Sequence, residues 1–260
     1  MIVFSWFGTA TVLIEVNGEK LLFDPFFRMN KKLEQPDLSE FCDVDYIFNT
    51  HPHFDHLCDL PQILQNTNAK FYGTPTAYLR LETQEVDVEK KVNILCPHEK
   101  IETQNALICT HRTQHVKNDF GIILQTALRI IFKFQFSKAI KILRTHNNFR
   151  MGGDIVAFEI QVEGKKILIF GSAGFDENAK LPTGVDVLIW PFQWRKNITK
   201  YSIPIIEKIN PKTVIFTHFD DAFPPITHHI KTDKITKELK KTHPKMQVIT
   251  PKYKEKIQIN

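Results

Sequence analysis

The chain is written in short apolar runs broken by turn residues, the pattern of strands. These alternate with stretches in which apolar positions recur every three or four residues, the pattern of helices. Residues 2–6, 11–16 and 20–24 read as three strands, and Asn17-Gly18 supplies a two-residue hairpin turn between the last two. Asp24-Pro25 ends the third, residues 28–43 form a polar, mixed loop, and 44–48 is a buried strand. From 55 to 65, Leu57, Leu60, Ile63 and Leu64 fall on one helical face, with Asp55 where an N-cap would sit. Residues 70–73 read as a strand, 75–81 as the opening of a helix, and 92–95, 99–102 and 107–110 as further strands. Strands at 155–162 and 166–170 are joined by a second hairpin signal, Glu163-Gly164. A strand at 186–190, a helix at 201–209, a strand at 213–217, a Lys-rich amphipathic helix at 232–241 and a last strand at 247–250 complete the pattern. No repeat, linker or low-complexity tract interrupts it, so the pattern predicts a single domain over 1–260, two packed sheets covered by helices.

Composition narrows the class. A chain of 260 residues that is 42% hydrophobic can bury a core of that size. No apolar run approaches the roughly 20 residues of a spanning helix. Residues 1–7 run straight into a strand without a basic n-region or a cleavage site. Cys42, Cys58, Cys96 and Cys109 lie far apart with no CxxC and read as ordinary buried thiols. A cytoplasmic protein is the expectation.

The net charge of +5 is modest but unevenly placed. Between Phe120 and Gly153 there is no Asp or Glu, yet Arg129, Lys133, Lys138, Lys141, Arg144 and Arg150 are interleaved with Ile, Leu and Phe. Two readings stay open for this insertion, at about 122–151. It is a basic, aromatic cover in which Phe132, Phe134 and Phe136, together with Trp194 further on, face the substrate. Otherwise it is a strand and an amphipathic helix with solvated cations and the Phe residues in the core. A cover of that kind suits a small-molecule or lipid-like anionic substrate and peripheral contact with an anionic membrane. The Lys-rich stretch 231–256 reads as a solvated helix face, and nucleic acid is not an expected partner.

Candidate chemistry is concentrated in Thr50-His51-Pro52-His53-Phe54-Asp55-His56, directly after the apolar Tyr46-Ile47-Phe48. Imidazole and carboxylate are the ligands a borderline divalent cation takes. Their spacing of i, i+2, i+4 and i+5 suits a loop that leaves a strand and turns into a helix, and Pro52 biases His51 toward an extended conformation.

Taken with Trp6-Phe7-Gly8-Thr9-Ala10 and Phe23-Asp24-Pro25, this motif resembles the metallo-β-lactamase superfamily. Within it the chain is similar to the branch of ascorbate-6-phosphate lactonase and the phospholipase D that hydrolyses N-acyl phosphatidylethanolamine; the likeness runs from Phe4 to His218. The resemblance implies an α/β (α+β) fold, a four-layer αββα sandwich with a metal site at one edge. It implies that His51 and His53 hold a first metal and Asp55 and His56 a second. His115, with His111 as the alternative, would complete the first site and His218 the second. One or two divalent ions are expected, zinc first, with manganese or iron as alternatives. Asp24 would orient a ligand, unless it is only a turn residue before Pro25.

Two departures bear on activity. Where the family carries Gly-Asp-Thr-Gly, this chain has Gly171-Ser172-Ala173-Gly174, so the carboxylate that bridges the two ions is missing, and Thr9 stands where relatives often have His. Two close dications repel unless anions lie between them. Three consequences are open: two ions without a carboxylate bridge, one ion at His51, His53 and His115, or a metal-binding protein with little turnover. The expected function is a metal-dependent hydrolase in which an activated water attacks a phosphodiester or a phosphorylated anionic substrate, lipid-like ones included. A lactonase acting on a small anionic metabolite is the alternative. Asp55 is the expected catalytic residue, holding the water and moving its proton. No Gly-x-Ser-x-Gly elbow offers a competing nucleophile.

Overall fold

Among the residues that the computed structural model describes (1–83, 92–149 and 153–259), strands pair into two seven-stranded sheets. Arg150 and the end of the basic insertion lie outside the described residues. The first sheet takes β1 (Ile2–Trp6), β2 (Val12–Val16), β3 (Glu19–Phe23), β4 (Tyr46–Phe48), β5 (Lys70–Gly73) and β6 (Val92–Ile94) in spatial as well as chain order. The second takes β7 (Lys100–Glu102), β8 (Leu107–Thr113), β9 (Ile155–Val162), β10 (Lys165–Phe170), β11 (Val187–Pro191), β12 (Thr213–Thr217) and β13 (Gln247–Ile249). The chain then returns to place β14 (Lys256–Ile259) outside β1.

Each sheet is half antiparallel and half parallel. From β14 to β3 neighbours run antiparallel, and from β3 to β6 parallel. The second sheet repeats this, antiparallel from β7 to β10 and parallel from β10 to β13. Both hairpin turns read from the sequence are present. Asn17-Gly18 (φ 49° and 90°) and Glu163-Gly164 (φ 49° and 74°) put two left-handed residues in a row, as a turn matched to strand twist requires.

The inner faces of the two sheets meet in one apolar layer. Phe48 stacks on Phe23 at 5.1 Å between centroids and reaches Phe158 of the other sheet at 5.3 Å. A second cluster covers the outer face of the first sheet, where Leu22, Ile47 and Phe71 meet α1 (Phe54–Leu57), α2 (Leu60–Gln65) and α3 (Pro75–Glu82). Further along the chain come α4 (Phe120–Phe132), α5 (Phe136–Phe149), α6 (Ile198–Ile209) and α7 (Asp233–Thr242). Ile142 and Phe149 of α5 join the same outer cluster.

The structure corrects several expectations. The helix expected over 55–65 is two helices, because Pro61, near the start of α2, cannot donate to the preceding turn and so cannot continue α1. The cap position of α1 is His53, and Asp55 lies within the first turn with its carboxylate turned toward His218 instead of capping. The strand expected over 107–110 runs on to Thr113 and so includes His111. The insertion is two helices, α4 and α5, and its Phe120, Phe132, Phe134 and Phe136 are exposed rather than in the core. Cys42 and Cys96 are exposed, not buried. No helix among the described residues is long and apolar enough to cross a membrane.

Candidate metal centre

The candidate residues follow the carboxyl ends of strands: Asp24 after β3, Thr50 to His56 after β4, His115 after β8, Ser172 after β10 and His218 after β12. Strand ends of this kind gather loops from both sheets onto one edge. The backbone is bent to do so, since Thr9, Asp24 and His218 all hold positive φ (48°, 44° and 56°), a conformation that side chains other than glycine rarely adopt. A hydrogen bond of 2.7 Å from the His218 N–H to the Thr9 carbonyl ties two of these bends together.

Six residues expected as ligands come together in two groups. His51, His53 and His115 place ligand atoms within 4.8 Å of one another, and so do Asp55, His56 and His218. The rings of His51 and His56 lie 4.0 Å apart, so the two groups share a wall. His111 is not among them. It sits inside β8, where its Nε2 lies 2.8 Å from Glu159 Oε2 on β9, and the chain needs the turn beyond Thr113 to bring His115 to the edge.

Supporting contacts engage one nitrogen each of His51, His56 and His115. Asp24 Oδ1 accepts the Thr50 N–H at 2.8 Å and the Asn49 side-chain amide at 3.2 Å. Its Oδ2 accepts the Thr50 hydroxyl at 2.5 Å and lies 2.9 Å from His56 Nδ1. With its proton committed to Asp24, the Thr50 hydroxyl accepts from His51 Nδ1–H at 2.9 Å, which leaves the His51 Nε2 lone pair free. His115 likewise donates from Nδ1 to the Val116 carbonyl at 2.8 Å. A carboxylate behind a histidine fixes its tautomer and strengthens it as a ligand. This cradle is closely packed at Gly171, where a Cβ would fall 1.9 Å from Thr50 Oγ1 and 2.6 Å from Asp24 Oδ2.

The donor set fits a divalent cation. His51 Nε2 and His218 Nδ1 are buried and without a hydrogen-bond partner, and such orphans cost about 1–3 kcal/mol each unless something binds them. Burial, with His56, His53 and His115 around it, holds His51 well below the usual imidazole range. Burial and His115 push His53 down to about 3, and burial also lowers His115. Neutral imidazole is the form that binds metal. Burial would raise the Asp55 carboxyl, but His56 and the hydrogen bond from His218 at 3.2 Å outweigh it and keep the group ionised. Burial would lower His56, yet Asp24 and Asp55 raise it.

Two expected outcomes follow. Asp24→Ala should weaken metal binding about 10–100-fold in chelator competition, because His56 and Thr50 lose their partner; unchanged affinity would make Asp24 only a turn residue. Metal-free protein should also melt at progressively lower temperature as pH falls from 7 toward 4. The unfolded chain takes up protons on these histidines near 6.5, whereas folded His51 and His53 do not until far lower pH, and burial shifts His115 in the same direction. The stability from their depressed values is therefore complete above 6.5 and declines below it, by up to about 1.4 kcal/mol per pH unit for each histidine. His56, raised, acts in the opposite sense. A melting temperature that is flat across this window would contradict the assignment.

A cavity of about 620 Å³ opens over both groups. Besides the candidate ligands and Ser172 it is lined by Ile142, Leu143, His146, Trp194, Phe223 and Ile226. Trp194 lines this cavity, with its ring 6.1 Å from that of His218. Phe132, Phe134 and Phe136 do not line the cavity. They project into solvent around the α4–α5 turn, and the inward residues of α5 one or two turns later provide the wall. Ser172 Oγ accepts the Val116 N–H at 3.0 Å and brings no charge to the site.

Sequence reasoning missed Asn49, Thr50, Gly171, Asp220 and His146. Thr50 lay in the quoted motif, but only the fold brings Asp24 against its hydroxyl. Asp220, buried, accepts the Thr9 N–H at 3.0 Å and pairs with Arg28 at 3.4 Å, bracing the turn that carries His218. His146 stands 5.1 Å from the His53 ring, four residues beyond Ile142 on α5, a helical spacing that was the one available signal.

Comparison with known proteins bears on the family and the fold. Residues 5–105 match the family profile of the Metallo-beta-lactamase superfamily. A UPF0173 metal-dependent hydrolase of Staphylococcus aureus (strain bovine RF122 / ET3-1) is 28% identical over 232 residues, 85% of this chain and 87% of that protein. Igni18, a metallo hydrolase from the hyperthermophilic archaeon Ignicoccus hospitalis KIN4/I, is similar in structure with a TM-score of 0.66 at 16% identity, covering 98% of this chain and 97% of that one. The metallo-beta-lactamase fold protein YhfI from Bacillus subtilis gives 0.65 at 13% identity, with 98% of each chain covered. Likeness at these identities is one of fold.

Proposed function

We propose that this metal-dependent hydrolase of the metallo-β-lactamase superfamily directs an activated water at the phosphorus of a phosphodiester or phosphorylated anionic substrate. The observation that carries the proposal is the pair of adjacent groups, His51/His53/His115 and Asp55/His56/His218, opening into one cavity. Their nitrogen-rich composition suits zinc, with manganese or iron as alternatives. A divalent cation held there supplies Lewis acidity, lowering the pKa of water from 15.7 to about 7 and offsetting charge on phosphoryl oxygens.

The chain's own residues do the rest. Asp55, ionised and within 3.2 Å of His218 Nε2, takes the proton of the attacking water and passes it toward the leaving oxygen. Asp24 and Thr50 hold His56 and His51 in one orientation. Ile142, Leu143, Trp194 and Phe223 keep bulk water from the reacting centre and accommodate an apolar part of the substrate.

The neutral Ser172 favours a second reading, in which only His51, His53 and His115 are occupied and a carbonyl centre such as a lactone is hydrolysed. Elemental analysis of protein purified without chelator separates the two. Two ions per chain, falling to one in His218→Ala, together with turnover of a chromogenic phosphodiester, are expected. One ion, lost in His51→Ala and indifferent to His218→Ala, would favour the carbonyl reading. Bound metal without turnover of either ester class would defeat both.

A further inference from the structure

The exposed large apolar side chains among the described residues are concentrated in one place. All but Met1, Leu79 and Ile94 lie between Phe120 and Leu143, on the α4–α5 hairpin. Phe120, Phe132 and Phe134 are 79%, 76% and 85% exposed. Contiguous apolar surface of this kind marks an interaction site. Along α4 the exposed positions Phe120, Ile123, Leu124, Leu128, Ile131 and Phe132 follow helical spacing, so a full apolar stripe faces away from the body of the protein.

The hairpin is held in this attitude. Asp119 caps α4 through the Ile122 N–H at 2.9 Å, and Arg129 donates to the carbonyls of Pro225 and Ile226 at 3.0 Å each. α5 packs on α1, beside the candidate ligands. At the turn Phe134 adopts a left-handed φ of 49° although it is a bulky aromatic residue exposed to solvent, so a costly conformation presents an apolar ring outward.

Charge identifies the occupant. Residues 120–149 contain no Asp or Glu, and Lys133, Lys138, Lys141 and Arg144 are exposed and unpaired with any carboxylate among the described residues. A second copy of the chain docking face to face would set these cations against themselves, since a twofold interface is self-complementary. An anionic lipid surface satisfies both features, with rings entering the acyl boundary and cations at the headgroups. Leu143 belongs both to this face and to the wall of the cavity, so the face adjoins the site mouth.

We infer that the α4–α5 hairpin is a docking face for an anionic membrane surface, which it meets with exposed Phe side chains and a carboxylate-free set of Lys and Arg beside the cavity. This rests on the surface alone and holds whatever bond the site hydrolyses.

The test is sedimentation of the metal-loaded full chain with phosphatidylcholine vesicles made with and without phosphatidylglycerol, a measurement that requires no turnover. At least about tenfold stronger partitioning onto the phosphatidylglycerol-containing vesicles is expected. Phe132→Ser with Phe134→Ser, and separately Lys138→Glu with Lys141→Glu, should each reduce it about tenfold while the circular dichroism spectrum is unchanged. Equal partitioning onto the two vesicle types, or wild-type partitioning in both double variants, overturns the inference. So does a dimer in light scattering that Phe132→Ser with Phe134→Ser dissociates while no form binds vesicles, because the face is then a self-association surface.

Discussion

Asp55→Asn is expected to lower kcat by about 10²–10⁴-fold at saturating metal, with the melting temperature of the loaded protein little changed. The substitution preserves shape, and an amide oxygen still accepts from His218 Nε2, which lies 3.2 Å from Asp55 Oδ2. It removes the negative charge and with it the proton acceptor. The native carboxyl is held well below the usual carboxylate range by His56 and His218 despite its burial, so it is ionised throughout the neutral range and available as acceptor there. Because Asp55 is also in the Asp55/His56/His218 group, the variant should bind its second ion more weakly. Measuring kcat against metal concentration separates the two effects: a ligand role alone is rescued by excess metal, whereas lost proton transfer is not. A saturating kcat within tenfold of the parent would remove Asp55 from the proposed chemistry.

Ser172→Asp should strengthen binding of a second divalent ion by about 10²–10³-fold. Ser172 follows β10 and lines the cavity that opens over the two groups, and its Oγ accepts the Val116 N–H. A carboxylate there can accept the same bond while bringing to the cavity the negative charge that the resemblance implies between the two ions. At about 4 Å and an effective dielectric of about 20, one such contact is worth about 4 kcal/mol before the cost of burying the carboxylate is subtracted. Calorimetric titration of the metal-free protein provides the measurement, with the tighter first ion as internal reference. If the second ion binds Ser172→Asp no more tightly than the parent, the serine does not limit that site, and the hydrolase reading with two ions stands without a carboxylate bridge.

What was legible in the sequence was local. The alternation of apolar runs with turn residues marked β2, β3, β9 and β10 closely, because a strand pairing across Asn17-Gly18 or Glu163-Gly164 needs only its neighbours in the chain. Four ligand-type side chains within His51 to His56 were visible for the same reason: a metal-binding loop that leaves one strand carries its chemistry in consecutive residues. Pro61 was equally visible and should have divided the helix expected over 55–65.

Other features were decided between distant segments, and only the tertiary structure determined them. His111 and His115 are alike as sequence. The pairing of β8 with β9 puts one against Glu159 and lets the other turn to the edge. Asp24 orients His56, and Gly171 must lack a side chain, because three loops converge on Thr50 from strands far apart in the chain. The α4–α5 hairpin shows the limit most directly. Amphipathic spacing encodes that a helix has an apolar face, but not whether that face turns inward or outward. Here α5 buries Ala139, Ile142 and Phe149, while α4 buries Ile122 alone and sends Phe120, Ile123, Leu124, Leu128, Ile131 and Phe132 outward, a choice set by which surfaces the rest of the fold leaves to be covered.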